Sequence, residues 1–241
     1  YSARMRVPQN QMYRFWHAVE QRAYRLFLKT HYRCEQDFSH YAMLDKTWLA
    51  RGLPKDMLAC EALLNAGTLI KDDATTTVVK ATLADGSAIM IKRYNVRSLT
   101  KLLKRLCRRS RAEKAWLAGI RLQELGFLTP APLALFEQRI GFFRSESYLI
   151  TEYIDGEDIG SHFAHYPAFL QSVIARQLTA WLTVMKLLHM SHGDMKATNF
   201  LWHPRGIYVL DLDACRTWAC LTGHRRALLK DAKRLKKNNF T

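Results

Sequence analysis

Cysteine is scarce in this chain and unpatterned where it occurs. Cys34, Cys60, Cys107, Cys215 and Cys220 are the five in 241 residues, and none forms a CxxC pair. That argues against a disulfide scaffold or a zinc ribbon and fits reduced thiols used as small core residues. Long apolar runs are missing too. No window reaches the roughly 18 consecutive apolar residues of a membrane-spanning helix. The opening stretch YSARMRVPQNQMYRFW lacks the apolar core and small-residue cleavage site of a signal peptide. There is no internal repeat or low-complexity tract, which excludes a solenoid. His162, His165, His203 and His224 show no metal-ligand spacing.

Acidic residues are also few, 21 against 37 Lys and Arg, for a net charge of +16. The imbalance is local. Residues 1–33 carry seven cations and one acid, residues 97–114 carry eight and one, and residues 221–241 carry seven and one. The rest of the chain is slightly acidic, so the basicity lies in patches suited to an anionic partner. A basic nucleic-acid-binding scaffold is one reading of those patches. The sequence lacks a base-reading aromatic motif of the RNA-recognition type, and no nucleic acid is expected.

With 49% hydrophobic residues the chain can fill one core or two closely joined ones. Met12, Phe15, Trp16, Val19, Ala23, Leu26 and Phe27 recur at helical spacing, which predicts an amphipathic helix over residues 11–33 with Arg14, Arg22, Arg25 and Lys29 on its other side. From Thr68 the period changes. TTTVVKATLADGSAIMIKRY predicts strands at 76–83 and 88–93 around an Asp-Gly turn. A helix over about 101–125 stops at Gly126. Strands are expected near 134–138 and 148–153, and a long helix at 169–189. A hairpin at 200–203 and 207–210 and a basic helix at 224–237 complete the pattern. Strands early and helices late predict an α+β, two-lobed protein: an N-terminal helical extension (1–62), an N-lobe (63–152) and a C-lobe (153–241).

Four motifs follow one another in order. IMIK ends a strand at Lys92, and Glu113 lies on the following helix. LITEYIDGED contains Glu152, Tyr153 and Ile154. HGDMKATNF holds His192, Asp194, Lys196 and Asn199, and YVLDLD places Asp211 and Asp213 at a strand end. HGDMKATNF resembles the protein-kinase catalytic loop H-R-D-L-x-x-x-N, with Asp194 and Asn199 at the same offset. IMIK resembles V-A-I-K, and DLD stands where D-F-G would stand. Together with Arg111-Ala112, Trp116, Leu122, Gly126, Thr129-Pro130 and Pro132, the wording resembles the bacterial lipopolysaccharide core kinases, the Kdo/heptose kinase family. The resemblance covers about residues 63–237.

The resemblance implies a protein-kinase-like fold with a small antiparallel-sheet N-lobe and a reduced, mostly helical C-lobe. It implies use of ATP and Mg²⁺. Lys92 would hold the α/β-phosphates with Glu113 as its helix partner, and Glu152, Tyr153 and Ile154 would touch adenine. Asn199 and Asp211 would bind the metal, with Asp213 as the alternative to Asp211. Asp194 would be the base and Lys196 its charge support, while His192 packs the loop. No G-x-G-x-x-G precedes the hairpin, so the backbone amides of residues 73–77 are expected to cover the phosphates. Asp72 and Asp73 sit awkwardly for that task.

Gly193 replaces the Arg that pairs with an activation-loop phosphate in regulated kinases, which implies a constitutive enzyme. Twenty-eight residues follow Asp213 without an A-P-E motif, which points to a small or glycolipid acceptor. The implied substrate is the anionic inner core of lipopolysaccharide, phosphorylated on a heptose or Kdo hydroxyl. The enzyme would be cytoplasmic and peripheral to the anionic inner membrane. A phosphotransferase of similar fold acting on another small molecule or on protein is the alternative.

Overall fold

The computed structural model describes residues 27–95, 109–140, 143–218 and 220–237. A seven-stranded antiparallel sheet forms the N-lobe, in the order β1-β2-β6-β7-β5-β4-β3. Its strands are β1 (Tyr32–Gln36), β2 (His40–Asp45), β3 (Thr68–Asp72), β4 (Thr76–Thr82), β5 (Ala88–Tyr94), β6 (Pro132–Ile140) and β7 (Phe143–Glu152). β4 and β5 are rich in β-branched residues and pair in full register from Thr76↔Tyr94 to Thr82↔Ala88. The turn between them relies on Gly86 at φ +84° and on the Asp85 carboxylate, which accepts the Ser87 amide at 2.9 Å.

The two faces of the sheet have separate tasks, set by the strand period of two. On β5, Ile89 and Ile91 enter a core with α2 (Met57–Ala66), and Arg93 reaches Glu61 of that helix at 2.7 Å. Met90, Lys92 and Tyr94 face the other way, toward α3 (Arg111–Glu124) and the interlobe cleft. Helix α3 starts at Ser110, whose hydroxyl accepts the Glu113 amide at 2.9 Å, and buries Ala112, Ala115, Trp116, Ile120 and Leu122. Gly119 lets Pro132 lie against the helix, since a Cβ there would sit 2.8 Å from the proline ring. The helix expected from residue 101 therefore begins, among the described residues, at Arg111.

The extension expected over residues 1–62 is not all helical. Its amphipathic helix falls mostly outside the described residues and its visible end closes at residue 31. Tyr32 and Arg33, read as the end of that helix, belong to β1. The hairpin β1–β2 then joins the sheet through Leu44↔Ala134 and its neighbours on β6. Leu44 is fully buried, and the Tyr32 hydroxyl donates to the Pro132 carbonyl at 2.8 Å. Burial on both faces of β2 holds these residues extended. Among the described residues, the turn ending at residue 31, the short α1 (Lys46–Leu49) and the start of α2 are the helical parts of the segment.

The C-lobe contains the two-residue β8 (Glu157–Asp158), a short α4 (Ile159–His162) and the long α5 (Ala168–Leu187), which buries Ile174, Leu178, Trp181 and Met185. The short strand β9 (Met190–Ser191), the hairpin of β10 (Phe200–His203) and β11 (Gly206–Val209), β12 (Arg216–Thr217) and α6 (Leu221–Lys236) follow. Among the described residues no helix is long and apolar enough to cross a membrane. Cys60 and Cys215 are core thiols as expected, pushed up to about 12 by burial, whereas Cys34 and Cys220 are exposed.

If β2 is integral to the N-lobe, Leu44→Ala should lower the stability of the whole protein by about 2–5 kcal/mol, the usual range for a buried leucine. Denaturant unfolding checks this; an unchanged midpoint would mean that the hairpin is only loosely attached.

Candidate active site

The loop between β9 and β10 is held from beneath. His192 is fully buried, with its ring 6.0 Å from that of Trp181 and 6.2 Å from that of Phe200. Its Nδ1 accepts the Asp194 amide at 3.3 Å while Nε2 lies 2.9 Å from the Leu210 carbonyl. One acceptor and one donor nitrogen define a neutral imidazole, and burial lowers the His192 pKa accordingly. The scaffolding role expected of His192 matches this geometry.

The carboxylate of Asp231, buried on α6, accepts the amides of His192 at 2.9 Å and Gly193 at 3.0 and 3.1 Å. Burial pushes the Asp231 pKa up against the pull of those amides. Gly193 has φ +84°, and a Cβ on it would lie 2.7 Å from the Ala214 carbonyl oxygen. Glycine is required there by the backbone, whatever the mode of regulation.

Asp194 projects from this clamped loop. Lys196 approaches it at 2.9 Å and Arg234 of α6 at 3.4 Å, and Arg234 also donates to the Gly193 carbonyl. Asn199 donates its amide to the Asp194 carbonyl at 2.7 Å, which leaves its Oδ1 as a ligand atom. The Leu210 amide donates to the Asn199 carbonyl at 2.8 Å, tying the loop to the end of β11. There Asp211 adopts a left-handed conformation, φ 56° and ψ 61°, which is uncommon for a residue with a side chain.

Lys92 crosses from the sheet to meet this segment. Its Nζ lies 2.6 Å from Asp211 and 3.1 Å from Asp213. Asp213 also accepts the Tyr94 hydroxyl at 2.5 Å and Arg111 at 2.8 Å. Burial raises the Asp211 pKa, but the charge and hydrogen bond of Lys92, helped by Arg111, bring the net shift below the usual carboxylate value. Glu113 is not the partner of Lys92. It lies in the first turn of α3 and pairs with Arg109 at 3.3 Å, while the two aspartates neutralise the lysine.

A cleft of about 540 Å³ opens beside these groups, within the range of small-molecule sites. Lys92, Asn199, Asp211 and Asp213 line one end, Val78, Met90, Leu201 and Leu210 supply apolar walls, and Glu152, Tyr153 and Ile154 lie at the link between lobes. The Glu152 and Tyr153 amides are taken by the Ala131 and Ala88 carbonyls.

The β3–β4 turn departs from expectation. Asp73 accepts the amides of Thr75 at 2.7 Å and Thr76 at 2.8 Å, its own amide donates to the Thr76 carbonyl, and Asp72 accepts the Thr77 hydroxyl. Most of the amides expected to cover phosphates are therefore spent inside the turn, and the two awkward aspartates are what spend them. Lys71, 2.9 Å from Asp73, brings a cation to the cleft instead.

The donor chemistry suits the metal implied by the sequence. Among the described residues no cluster of three or more His, Cys, Asp or Glu could hold a metal alone. Two hard oxygens, from Asp211 and Asn199, suit a Mg²⁺ ion that keeps water and substrate phosphates in its shell.

The sequence profile described as lipopolysaccharide kinase (Kdo/WaaP) family matches residues 73–241. The chain belongs to this family. As a Kdo/WaaP kinase it is a phosphotransferase, and kinase membership implies use of ATP. No curated protein matches the chain. Among solved structures it is similar to WaaP in complex with acyl carrier protein, at 19% identity and TM-score 0.62, over 82% of this chain and 80% of that one. It is also similar to the Rio2 kinase from Chaetomium thermophilum, solved as an ADP/Mg²⁺-phosphoaspartate complex, at 14% identity and TM-score 0.53, over 75% of this chain and 57% of that one. At these identities the likeness establishes the protein-kinase-like α+β fold.

Sequence reasoning missed Asp231, Arg234, Arg111, Tyr94 and Lys71 as parts of this Kdo/WaaP site. Asp231 left one signal: it is the lone acid in a basic helix, seven residues after buried His224 and four before buried Leu235. Replacing it with Ala strands two loop amides at about 1–3 kcal/mol each. Asp231→Ala should therefore lower the unfolding midpoint and abolish activity together; wild-type stability in that variant would contradict the clamp.

Proposed function

We propose that this chain is an ATP- and Mg²⁺-dependent kinase that phosphorylates a sugar hydroxyl, on heptose or Kdo, of the lipopolysaccharide inner core. The observation that carries the reading is Asp194, flanked by Lys196 of its own loop and Arg234 of α6 and bonded through its carbonyl to Asn199, which lines the polar end of the cleft with Lys92 and Asp211, in a member of the lipopolysaccharide kinase family.

In phosphoryl transfer the protein mainly positions groups and neutralises charge. Lys92 and Lys71 would bind the nucleotide phosphates, and the apolar walls with Ile154 would take the base. Asn199 and Asp211 would hold Mg²⁺, which when bound supplies positive charge to the phosphate oxygens. Asp194 orients the acceptor hydroxyl and takes its proton as the oxygen bonds to the γ-phosphorus and the bond from that phosphorus to the β–γ bridging oxygen breaks, releasing ADP. Lys196 balances charge on the moving group.

The acceptor side is cationic. Arg226, Lys230 and Lys233 are exposed on α6 and Lys237 just past its end, near Arg234, and none of these four has an ion-pair partner among the described residues. An inner core bearing carboxylates and phosphates complements that face. Near an anionic membrane surface each such cation contributes about 1 kcal/mol, which favours peripheral work at the cytoplasmic face of the inner membrane. The complex of WaaP with acyl carrier protein favours a second use of a kinase surface in this family, the docking of a protein partner.

Asp194→Ala should reduce phosphoryl transfer by about 10²–10⁴-fold, the usual weight of a general base, with an unchanged circular dichroism spectrum. Full activity in that variant excludes the mechanism. Arg234→Gln should raise KM for the acceptor several-fold with KM for ATP unchanged; the opposite split would move Arg234 to the nucleotide side.

A further inference from the structure

The two carboxylates that hold Lys92 are not equivalent. Asp211 is 38% exposed at its side chain, lines the cleft, and has Lys92 as its one ion-pair partner among the described residues. Asp213 is 9% exposed, and both of its oxygens are engaged. Oδ2 is shared by Lys92 at 3.1 Å and Arg111 at 2.8 Å, and Oδ1 accepts the Tyr94 hydroxyl at 2.5 Å. These donors sit on rigid elements, Lys92 and Tyr94 on β5 and Arg111 at the start of α3. The Arg111 guanidinium and the Lys92 ammonium each lie 5.1 Å from the centre of the Tyr94 ring.

Moving Asp213 would leave the Arg111 guanidinium and the buried Tyr94 hydroxyl without their acceptor, and breaking a buried ion pair from one side is strongly unfavourable. Moving Asp211 leaves Lys92 still paired with Asp213. Of the two, only Asp211 can exchange its partner at low cost.

We propose that Asp213 is the positioning residue for Lys92. It takes the part that the sequence resemblance gives to a carboxylate on the helix after β5, and it leaves Asp211 available to a cation. The inference rests on the kinase reading of the cleft and adds a division of labour within it. Tyr94 and Arg111 fix Asp213, Asp213 fixes Lys92, and Lys92 meets the phosphates. Lys92 then stays aimed into the cleft whether or not Asp211 is bound to a metal. Helix α3 contributes through Arg111, not Glu113.

The test uses Asp213→Asn in the full chain with two measurements. The first needs no nucleotide: labelling of Lys92 by an amine-reactive ester, followed by peptide mass spectrometry, should be several-fold faster in Asp213→Asn than in wild type. Equal labelling rates overturn the positioning role. The second is MgATP binding by calorimetry. Asp213→Asn should weaken binding about tenfold while keeping the enhancement by Mg²⁺, and it should add little in a Lys92→Met background. Asp211→Asn should instead remove the enhancement.

If Asp213→Asn is the variant that loses the Mg²⁺ enhancement, Asp213 is the metal ligand and the proposal fails. A larger loss of affinity in Glu113→Gln than in Asp213→Asn also overturns it. If wild type binds no ATP, the kinase reading fails, and the labelling result still decides whether Asp213 restrains Lys92. Should Asp213→Asn not fold, Tyr94→Phe removes one hydrogen bond from the carboxylate and should shift both measurements in the same direction by a smaller amount; no shift overturns the proposal.

Discussion

One ammonium group ties the two lobes together at the point where chemistry is expected. Lys92 leaves β5, an inner strand of the sheet, and ends against Asp211 and Asp213, which follow β11 in the other lobe. The group is partly shielded, so leaving the ammonium with no carboxylate at all would be costly. Around it the cleft acquires its polarity: cation, amide and carboxylates at one end, aliphatic walls at the other. The sheet period that turns Lys92, Met90 and Tyr94 inward also turns Ile89 and Ile91 into the N-lobe core. Fold and site are therefore written in the same seven residues.

The second constraint lies beneath the loop. A residue such as Asp194 is useful only if its backbone is fixed, and here the fixing is done by groups that never face the cleft. Buried Asp231 gathers the His192 and Gly193 amides, and His192 spans Asp194 and Leu210. These neutral and charged hydrogen bonds are formed before any substrate arrives, which is the form of preorganisation that phosphoryl transfer needs. Helix α6 serves both purposes at once. Its buried stripe carries the clamp, and its exposed face carries the cations.

Local signals were legible in the sequence, and long-range choices were not. The Asp-Gly hairpin, the long helix α5 and the spacing of Asp194 and Asn199 depend on near neighbours and are found where the pattern puts them. The resemblance to core kinases anticipated both the family and the fold. Glu113 as the partner of Lys92 failed because one helix carboxylate competes with two aspartates more than a hundred residues away, and only tertiary packing decides. The helix expected through Tyr32 and Arg33 failed because its apolar spacing runs on into residues that β2 recruits as a strand. Asp72 and Asp73 made no sense as phosphate neighbours and full sense as turn closers. Gly193, which in sequence points to missing regulation, is explained by its own backbone and by the Ala214 carbonyl.

The account comes down to where a phosphoryl group is delivered. The purified protein should be incubated with ATP, Mg²⁺ and dephosphorylated core oligosaccharide, and the products read by tandem mass spectrometry. One added phosphoryl group on a heptose or Kdo residue, dependent on the protein, is the predicted result. ATP consumption without phosphorylation of the saccharide, or transfer to protein alone, would contradict it.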